Sequence, residues 1–327
     1  MTKSKSYEDK DCLLSIIIAA YNVEAYIEDC LESLLHIMAE GKAVEIIVVN
    51  DGSTDNTRKK IEGFITAHPE GTTLINQDNH GLGAARNAGI RASKGRYVCF
   101  VDGDDQLLPD ARMPWQYLTE NAASDIVSIE IMQRDLRHHH GSSPDIRPYR
   151  RYVSPTGVRY APARSFLLGR NIMPTAVTYI VRRQFLIDSN IMFREGIYHE
   201  DEDFTLRLFL YADSFIASGH CIYLYNLRPE SITTTTDICK QEKKLRDLIS
   251  IISDSLHLPN NEYARYKLHY LVVDILRLLI RQHHTRTFRQ EIIASLRSLG
   301  LFPLPWHWET KYILFRLLTQ LRFLFLR

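Results

Sequence analysis

Tyr97-Val-Cys-Phe-Val-Asp-Gly-Asp-Asp105 sets five apolar residues directly before three carboxylates, Asp102, Asp104 and Asp105. The apolar run predicts a buried strand with an acidic cluster at its carboxyl end. Like charges this close repel and raise one another's pKa, so the cluster requires a cation to offset it. A hard divalent ion suits, because it takes a few protein oxygens and completes its shell with water and phosphates. An acidic strand end that holds a metal together with a phosphorylated ligand is the leading expectation, against the plainer one of a solvated acidic turn.

Working back from this strand, the first hundred residues alternate strand and helix signals. Leu13 to Ala20 is a continuous apolar run rich in β-branched residues. Val23 to Met38 has helical spacing, with Ile27, Leu31, Leu34, Leu35 and Met38 on one side. Glu45 to Val49 reads as a second strand, Ser53 or Asp55 caps a helix through Ile65, Thr72 to Ile75 is a third strand, and Leu82 to Ala92 is another helix. Fully apolar strands separated by helices predict an α/β fold with a mostly parallel central sheet flanked by helices. Ligands of such sheets sit at the carboxyl ends of the strands. Every candidate polar group falls there: Tyr21 and Asn22, then Asp51 and Gly52, then Asp78 to Gly83, then Asp102 to Asp105.

Beyond Trp115 the pattern weakens to an irregular segment ending near Glu195, with an exposed loop around His138 to Ser143 and Pro144, Pro148 and Pro155. Consecutive histidines point in divergent directions, so His138 to His140 read as a solvated loop. A helix follows from Asp203 to Tyr211, then a strand from Cys221 to Tyr225, and beyond Asp237 the signals are helical to the end.

At 327 residues the chain can bury a full core, and 45% apolar with 24% charged residues is ordinary for a soluble globular protein. The net charge of +1 hides an asymmetry: residues 262–327 hold eleven Lys or Arg against Glu262, Asp274, Glu291 and Glu309. Cys12, Cys30, Cys99, Cys221 and Cys239 are odd in number and widely spaced, which suits small buried hydrophobes in a reducing compartment. The polar start, Met1 to Asp11, does not resemble a secretory signal, and no run reaches the roughly 18 apolar residues that span a bilayer. The expected location is cytoplasmic. Residues Lys311 to Arg327 combine a broad apolar surface with Arg316, Arg322 and Arg327, suited as a helix to an anionic membrane surface or to packing against protein.

Three further constellations bear on chemistry. Asp51-Gly52-Ser53 is a common turn sequence, yet a carboxylate there can accept hydrogen bonds from a nucleobase edge, beside the aromatic face of Tyr21. Gly81-Leu-Gly-Ala-Ala-Arg86 fits a dinucleotide fingerprint poorly, because Arg86 takes the place of the third glycine. Arg86 instead faces phosphate or pairs with a strand-end aspartate. His199-Glu-Asp-Glu-Asp203 begins a helix, where the dipole favours acids, but four in a row exceed what capping uses. One of them over the cleft could accept a proton from an incoming hydroxyl.

Five ordered segments together resemble glycosyltransferase family 2: Ser15-Ile-Ile-Ile-Ala-Ala-Tyr-Asn22, Val49-Asn-Asp-Gly-Ser-Thr-Asp55, Asn79-His-Gly-Leu-Gly-Ala-Ala-Arg-Asn-Ala-Gly89, Val101-Asp-Gly-Asp-Asp105 and His199-Glu-Asp-Glu-Asp-Phe204. The likeness covers about residues 12–235 and fades afterwards. It implies a GT-A fold with residues 1–115 as the nucleotide-sugar half, 116–236 as the acceptor half and 237–327 as a helical extension. Ala19, Tyr21, Asn22, Asp51, Arg86 and Asp102 would bind a nucleotide-sugar, usually a UDP-sugar. Asp104, with Asp102, would hold Mg²⁺ or Mn²⁺. Asp201 would be the catalytic base, and Glu200 an acceptor-binding residue or the alternative base. Gln106 and His80 depart mildly from the family pattern. The implied activity is metal-dependent, inverting transfer of a sugar to a hydroxyl of a glycan or lipid-linked acceptor, in surface polysaccharide or glycolipid synthesis. No nucleic-acid partner is expected. The competing readings are a catalytically silent sugar-nucleotide-binding protein and a scaffold that recruits partners through its basic tail.

Overall fold

A computed structural model describes residues 12–39, 43–108, 112–118, 124–137, 146–149, 156–168, 170, 172–228, 237–304 and 319. The triple histidine and the basic tail lie outside these, apart from Thr319. Two compact units emerge: residues 1–166, 172–196 and 200–229 in the first, and 167–171, 197–199 and 230–327 in the second.

The first unit is built on one sheet. Its amino-terminal half alternates β1 (Leu14–Ala20), α1 (Ile27–Glu32), α2 (Leu35–Met38), β2 (Val44–Asp51), α3 (Thr57–Ala67), β3 (Thr72–Gln77), α4 (Leu82–Ala92) and β4 (Tyr97–Asp102). There follow β5 (Gln106–Leu107), β6 (Ile126–Asp135), β7 (Ile146–Pro148), β8 (Arg159–Tyr160), β9 (Tyr179–Arg182), α5 (Arg183–Asp188), α6 (Glu200–Tyr211) and β10 (Phe215–Leu227). The strand order is β3-β2-β1-β4-β9-β6-β10-β5, with β7 on β6 and β8 on β10. The long ladders, β1 with β2 and β4, β2 with β3, and β6 with β10, are parallel. The antiparallel pairings span only two or three residues each. The expected mixed α/β fold with a mostly parallel sheet is thus present.

All seven residues of β1 are buried, as continuous apolar sequence requires of a strand covered on both faces. Leu14, Ile16, Ile17 and Ile18 are wholly inaccessible. Helix α4 lies on this sheet through Ala84, Ala85, Gly89 and Ile90. β4 meets β9 only at Tyr97 and Val98, so on that side the sheet is unpaired toward Asp102. The carboxyl end of β4 is therefore free to face a ligand.

Two expectations need correction. The helix expected over Val23 to Met38 is broken at Ser33 and Leu34. The Ser33 hydroxyl donates to the Cys30 carbonyl at 2.6 Å and accepts from the Leu107 amide at 3.0 Å, a side-chain competition that diverts the backbone. The strand expected over Cys221 to Tyr225 is the thirteen-residue β10, whose polar centre Ser218-Gly219-His220 hides the apolar pattern. Its register shifts there, and Ser218 donates to the Ser128 carbonyl of β6.

The second unit holds α7 (Ile238–Ser255), α8 (Asn261–Arg281) and α9 (Arg286–Ser298). Asp237 caps α7 by accepting from the amides of Cys239 and Lys240, and Thr285 caps α9 by accepting from Phe288. α7 packs on both partners through Leu245, Leu248, Ile251 and Ile252. Among the described residues no helix is long and apolar enough to cross a membrane.

The α4–β1 seam leaves no room for a methyl group. A Cβ on Gly89 would lie 2.2 Å from the Cγ2 of buried Ile17, whose β-branched side chain has little rotamer freedom. Gly89→Ala is therefore expected to destabilise by about 1–3 kcal/mol in urea unfolding. Gly63→Ala, on exposed α3 with open space around it, should stabilise by roughly 1 kcal/mol. Equal effects at the two positions would refute the close seam.

Candidate active site

The loops after β1, β2 and β3 are tied to one another before any ligand arrives. Asn22, held at φ 49°, accepts from the Thr54 amide at 2.8 Å through its side chain, and its own amide donates to the Ser53 hydroxyl at 3.1 Å. Asp51, 3% exposed, accepts from Gln77 Nε2 at 2.7 Å and from the amides of His80 at 3.0 Å and Gly81 at 2.8 Å. It thus satisfies donors at the start of α4, where a carboxylate also complements the helix dipole. Three of its roughly four acceptor sites are used. Gly52 adopts φ +69° and has the Asn79 amide nitrogen 2.7 Å from where a Cβ would sit, so only glycine fits this turn. Tyr21 is 46% exposed on the rim, whereas Ala19 is buried against Ile47, Val49 and Ala85.

Arg86 resolves one of the alternatives left open by the sequence. Its side chain is 1% exposed and its guanidinium meets carboxylates from both acidic motifs. Nη2 donates to Asp102 Oδ1 at 2.8 Å, while Nη1 donates to Asp201 Oδ1 at 2.5 Å and reaches Glu200 Oε1 at 3.4 Å. The Phe193 ring lies beneath it at 5.3 Å, and Nε has no hydrogen-bond partner. Arg86 pairs with the strand-end aspartate and lies beneath the rim, rather than facing outward to phosphate.

The four carboxylates of α6 divide by the helical period. Glu200 and Asp201 turn to Arg86, while Asp203, buried, takes Arg207 one turn on. Burial and the neighbouring Asp201 push the Glu200 carboxyl up to about 7, although Arg86 opposes this. Burial also raises Asp201, against the opposing pull of Arg86 and an amide hydrogen bond from Ala176.

The acidic cluster of β4 divides in the same manner. Asp105 is buried, accepting from the Tyr223 hydroxyl at 2.7 Å and the Asn226 amide at 2.8 Å, so it anchors the turn to β10. Asp104 accepts from Arg228 Nε at 2.5 Å; burial and Asp102 raise its pKa, and Arg228 offsets them in part. The Arg228 guanidinium also lies 5.5 Å from the Tyr26 ring centroid. Sequence reading missed Arg228, Tyr223 and Asn226. The single signal available was a basic residue closing an apolar strand, which many surfaces share.

A divalent ion fits the donors present. Asp102 and Asp104 are hard oxygen ligands with side chains 28% and 22% exposed, set in a negative field. No group of three or more His, Cys, Asp or Glu placed to hold a metal occurs among the described residues. Two carboxylates with substrate oxygens and water is the coordination magnesium favours.

The chain resembles known proteins over most of its length. The model of glycosyl transferase family 2 matches residues 15–187. An uncharacterized glycosyltransferase of Bacillus subtilis, EpsJ, is 32% identical over 228 residues, 68% of this chain and 63% of that protein. The chain thus spans less than two thirds of that relative's length. Among solved structures, Staphylococcus aureus TarS residues 1–349 in complex with UDP-GlcNAc superposes with a TM-score of 0.61 at 21% identity, covering 88% of this chain and 80% of that one. The mannosyltransferase PcManGT of Pyrobaculum calidifontis, in complex with GDP-Man and Mn²⁺, gives 0.51 at 14% identity over 94% and 83%. With its family match extending from β1 into α5, and with its mixed sheet shared with these structures, the chain belongs to glycosyltransferase family 2 and has the GT-A fold.

Proposed function

We propose that the protein transfers a sugar from a nucleoside-diphosphate sugar, of the UDP class, to an acceptor hydroxyl with inversion at the anomeric carbon. One observation carries this reading: a single guanidinium, Arg86, brings Asp102 of the β4 cluster and Asp201 of the α6 cluster into one site. In this reading Tyr21, exposed on the rim, and the remaining acceptor site of Asp51 would receive the base. Asp102 and Asp104 would hold Mg²⁺ or Mn²⁺, which supplies charge stabilisation for the departing diphosphate. Residues 1–115 would form the donor half and 116–236 the acceptor half.

In this mechanism Asp201 accepts the proton of the acceptor hydroxyl as its oxygen bonds to the anomeric carbon. The carbon–oxygen bond to diphosphate breaks on the opposite face, and the nucleoside diphosphate leaves with the bonding electrons. Asp201 is assigned as the base because Arg86 at 2.5 Å and the Ala176 amide favour its ionised form and so leave it unprotonated to accept. Glu200, at 3.4 Å from Arg86, would bind the acceptor. Relatives named chondroitin synthase and hyaluronan synthase support a role in polysaccharide synthesis, at the surface or on a glycolipid in this proposal. We place the protein in the cytoplasm, peripheral to the membrane through residues 311–327.

Asp201→Asn should leave UDP-sugar affinity within about threefold of the parent while lowering transfer by 10²-fold or more. Glu200→Gln should retain more transfer than Asp201→Asn; the reverse order would make Glu200 the base.

The Glu200 carboxyl, at about 7 in the fold against an ordinary 4.5, keeps its proton where the unfolded chain has lost it. Stability is therefore highest below about pH 4.5 with respect to this group and is lost as pH rises through 7, on the order of 3 kcal/mol in all. Glu200→Gln should remove that loss, so its stability relative to the parent should grow between pH 5 and pH 8 in denaturant titrations of the ligand-free protein. A constant difference across this range would show that Glu200 is not so perturbed.

Flotation tests the membrane assignment. The full chain should rise with anionic liposomes and the chain lacking residues 305–327 should not; equal behaviour would dismiss it.

A further inference from the structure

The backbone of the turn that carries Asp102, Gly103, Asp104 and Asp105 is pinned by the strands around it. The Asp105 amide donates to the Asp102 carbonyl at 2.9 Å and closes the turn, and the Gly103 amide donates to the Ala19 carbonyl at 3.1 Å. A Cβ on Gly103 would lie 3.1 Å from that carbonyl oxygen, so the turn sits tightly against the end of β1. It is also docked on β10. Leu107 pairs with Tyr223 and Gln106 with Leu224, and the Leu108 amide donates to the Ile222 carbonyl at 2.9 Å.

Two side chains of β10 complete this grip. The hydroxyl of Tyr223, a wholly buried residue, accepts from the Asp102 amide at 3.2 Å and donates to Asp105 Oδ2 at 2.7 Å. One oxygen thus ties the first residue of the turn to the last, using its proton and a lone pair. Asn226, also buried, donates from Nδ2 to the Asp104 carbonyl at 2.8 Å, and its amide donates to Asp105 Oδ1 at 2.8 Å. Asn226 is itself oriented: its Oδ1 accepts from Arg134 Nε at 2.8 Å, and Arg134 Nη2 donates to Gln106 Oε1 at 2.6 Å. None of these contacts uses a carboxylate oxygen of Asp102 or Asp104. A tyrosine that served packing alone would need its ring and not its hydroxyl, a polar group that is costly to bury without partners. With only two aspartates to offer an ion, the protein's share of the affinity lies in how well their separation and direction are set beforehand.

We propose that Tyr223 and Asn226 are positioning residues for the acidic motif: by holding the Asp102–Asp105 turn from β10, they preset Asp102 and Asp104 for a divalent ion. The inference rests on the transferase reading of that motif and adds the residues that set its geometry. Calorimetric titration of the full chain with UDP, at a series of Mn²⁺ concentrations, reads the Mn²⁺ concentration that half-saturates UDP binding. Tyr223→Phe keeps the ring and removes one oxygen. It should raise that concentration about tenfold or more, with the UDP stoichiometry of the parent restored at saturating Mn²⁺, and Asn226→Ala should raise it as well. A packing role alone would lower the denaturation midpoint and the fraction of competent protein, while the folded fraction kept the parent's half-saturating Mn²⁺ concentration; that result overturns the proposal. Should Tyr223→Phe fail to fold, Asn226→Ala decides, and an unchanged Mn²⁺ dependence in it overturns the inference. UDP binding by the parent that ignores Mn²⁺ is a separate outcome: it overturns the metal-dependent reading of the motif, and this inference with it.

Discussion

One buried cation organises the candidate site. Arg86 reaches the surface with 1% of its side chain, yet three carboxylates from β4 and α6 converge on it. Neither side of this arrangement is stable alone. Three carboxylates without Arg86, or Arg86 without them, would leave uncompensated buried charge, which costs several kcal/mol per ion. The cluster therefore fixes α4, the end of β4 and the start of α6 relative to one another, although Arg86 of α4 lies 114 and 115 positions from Glu200 and Asp201 of α6. It also leaves an excess of negative charge, only partly relieved by proton uptake at Glu200. On the proposed reading, that excess would favour a divalent cation at the adjacent Asp102 and Asp104.

The rim is organised by side chains that grip backbone amides. Asn22 clasps the loop after β2, and Asp51 clasps the loop after β3, each through backbone amides. A loop already hydrogen-bonded in one conformation gives up little further freedom when a ligand arrives. Asp51 shows why a position can serve structure and binding together: most of its lone pairs hold the rim, and the remainder sets the geometry at which a base could meet it. On the proposed reading, its turn role and its ligand role would be successive uses of one carboxylate.

Much of this was legible in the sequence because the signals were local. The continuous apolar runs of β1, β2 and β4 announced themselves by composition, and α4 runs over Leu82–Ala92 as its spacing predicts. The polar residues at the strand ends followed from the general placement of ligands on parallel sheets. What escaped were features decided at long range. β9 is only four residues long, and it forms a strand because it fits between β4 and β6. The break at Ser33 depends on a hydroxyl that finds the Leu107 amide 74 positions away. The pairing of Arg228 with Asp104 joins residues 124 positions apart, and nothing near either one encodes it.

That last pairing constrains how a metal could enter. Arg228 occupies one oxygen of Asp104, and no third acidic, histidine or cysteine ligand joins the two aspartates among the described residues. An ion arriving alone would have to displace a charge-assisted hydrogen bond and would gain only two protein ligands. An ion arriving with a diphosphate brings further oxygens of its own and offers the displaced guanidinium a new anion. On the proposed reading, metal and donor therefore bind with strong mutual dependence. The reason is physical: the protein supplies too few ligands to hold the cation by itself, and it already holds a substitute.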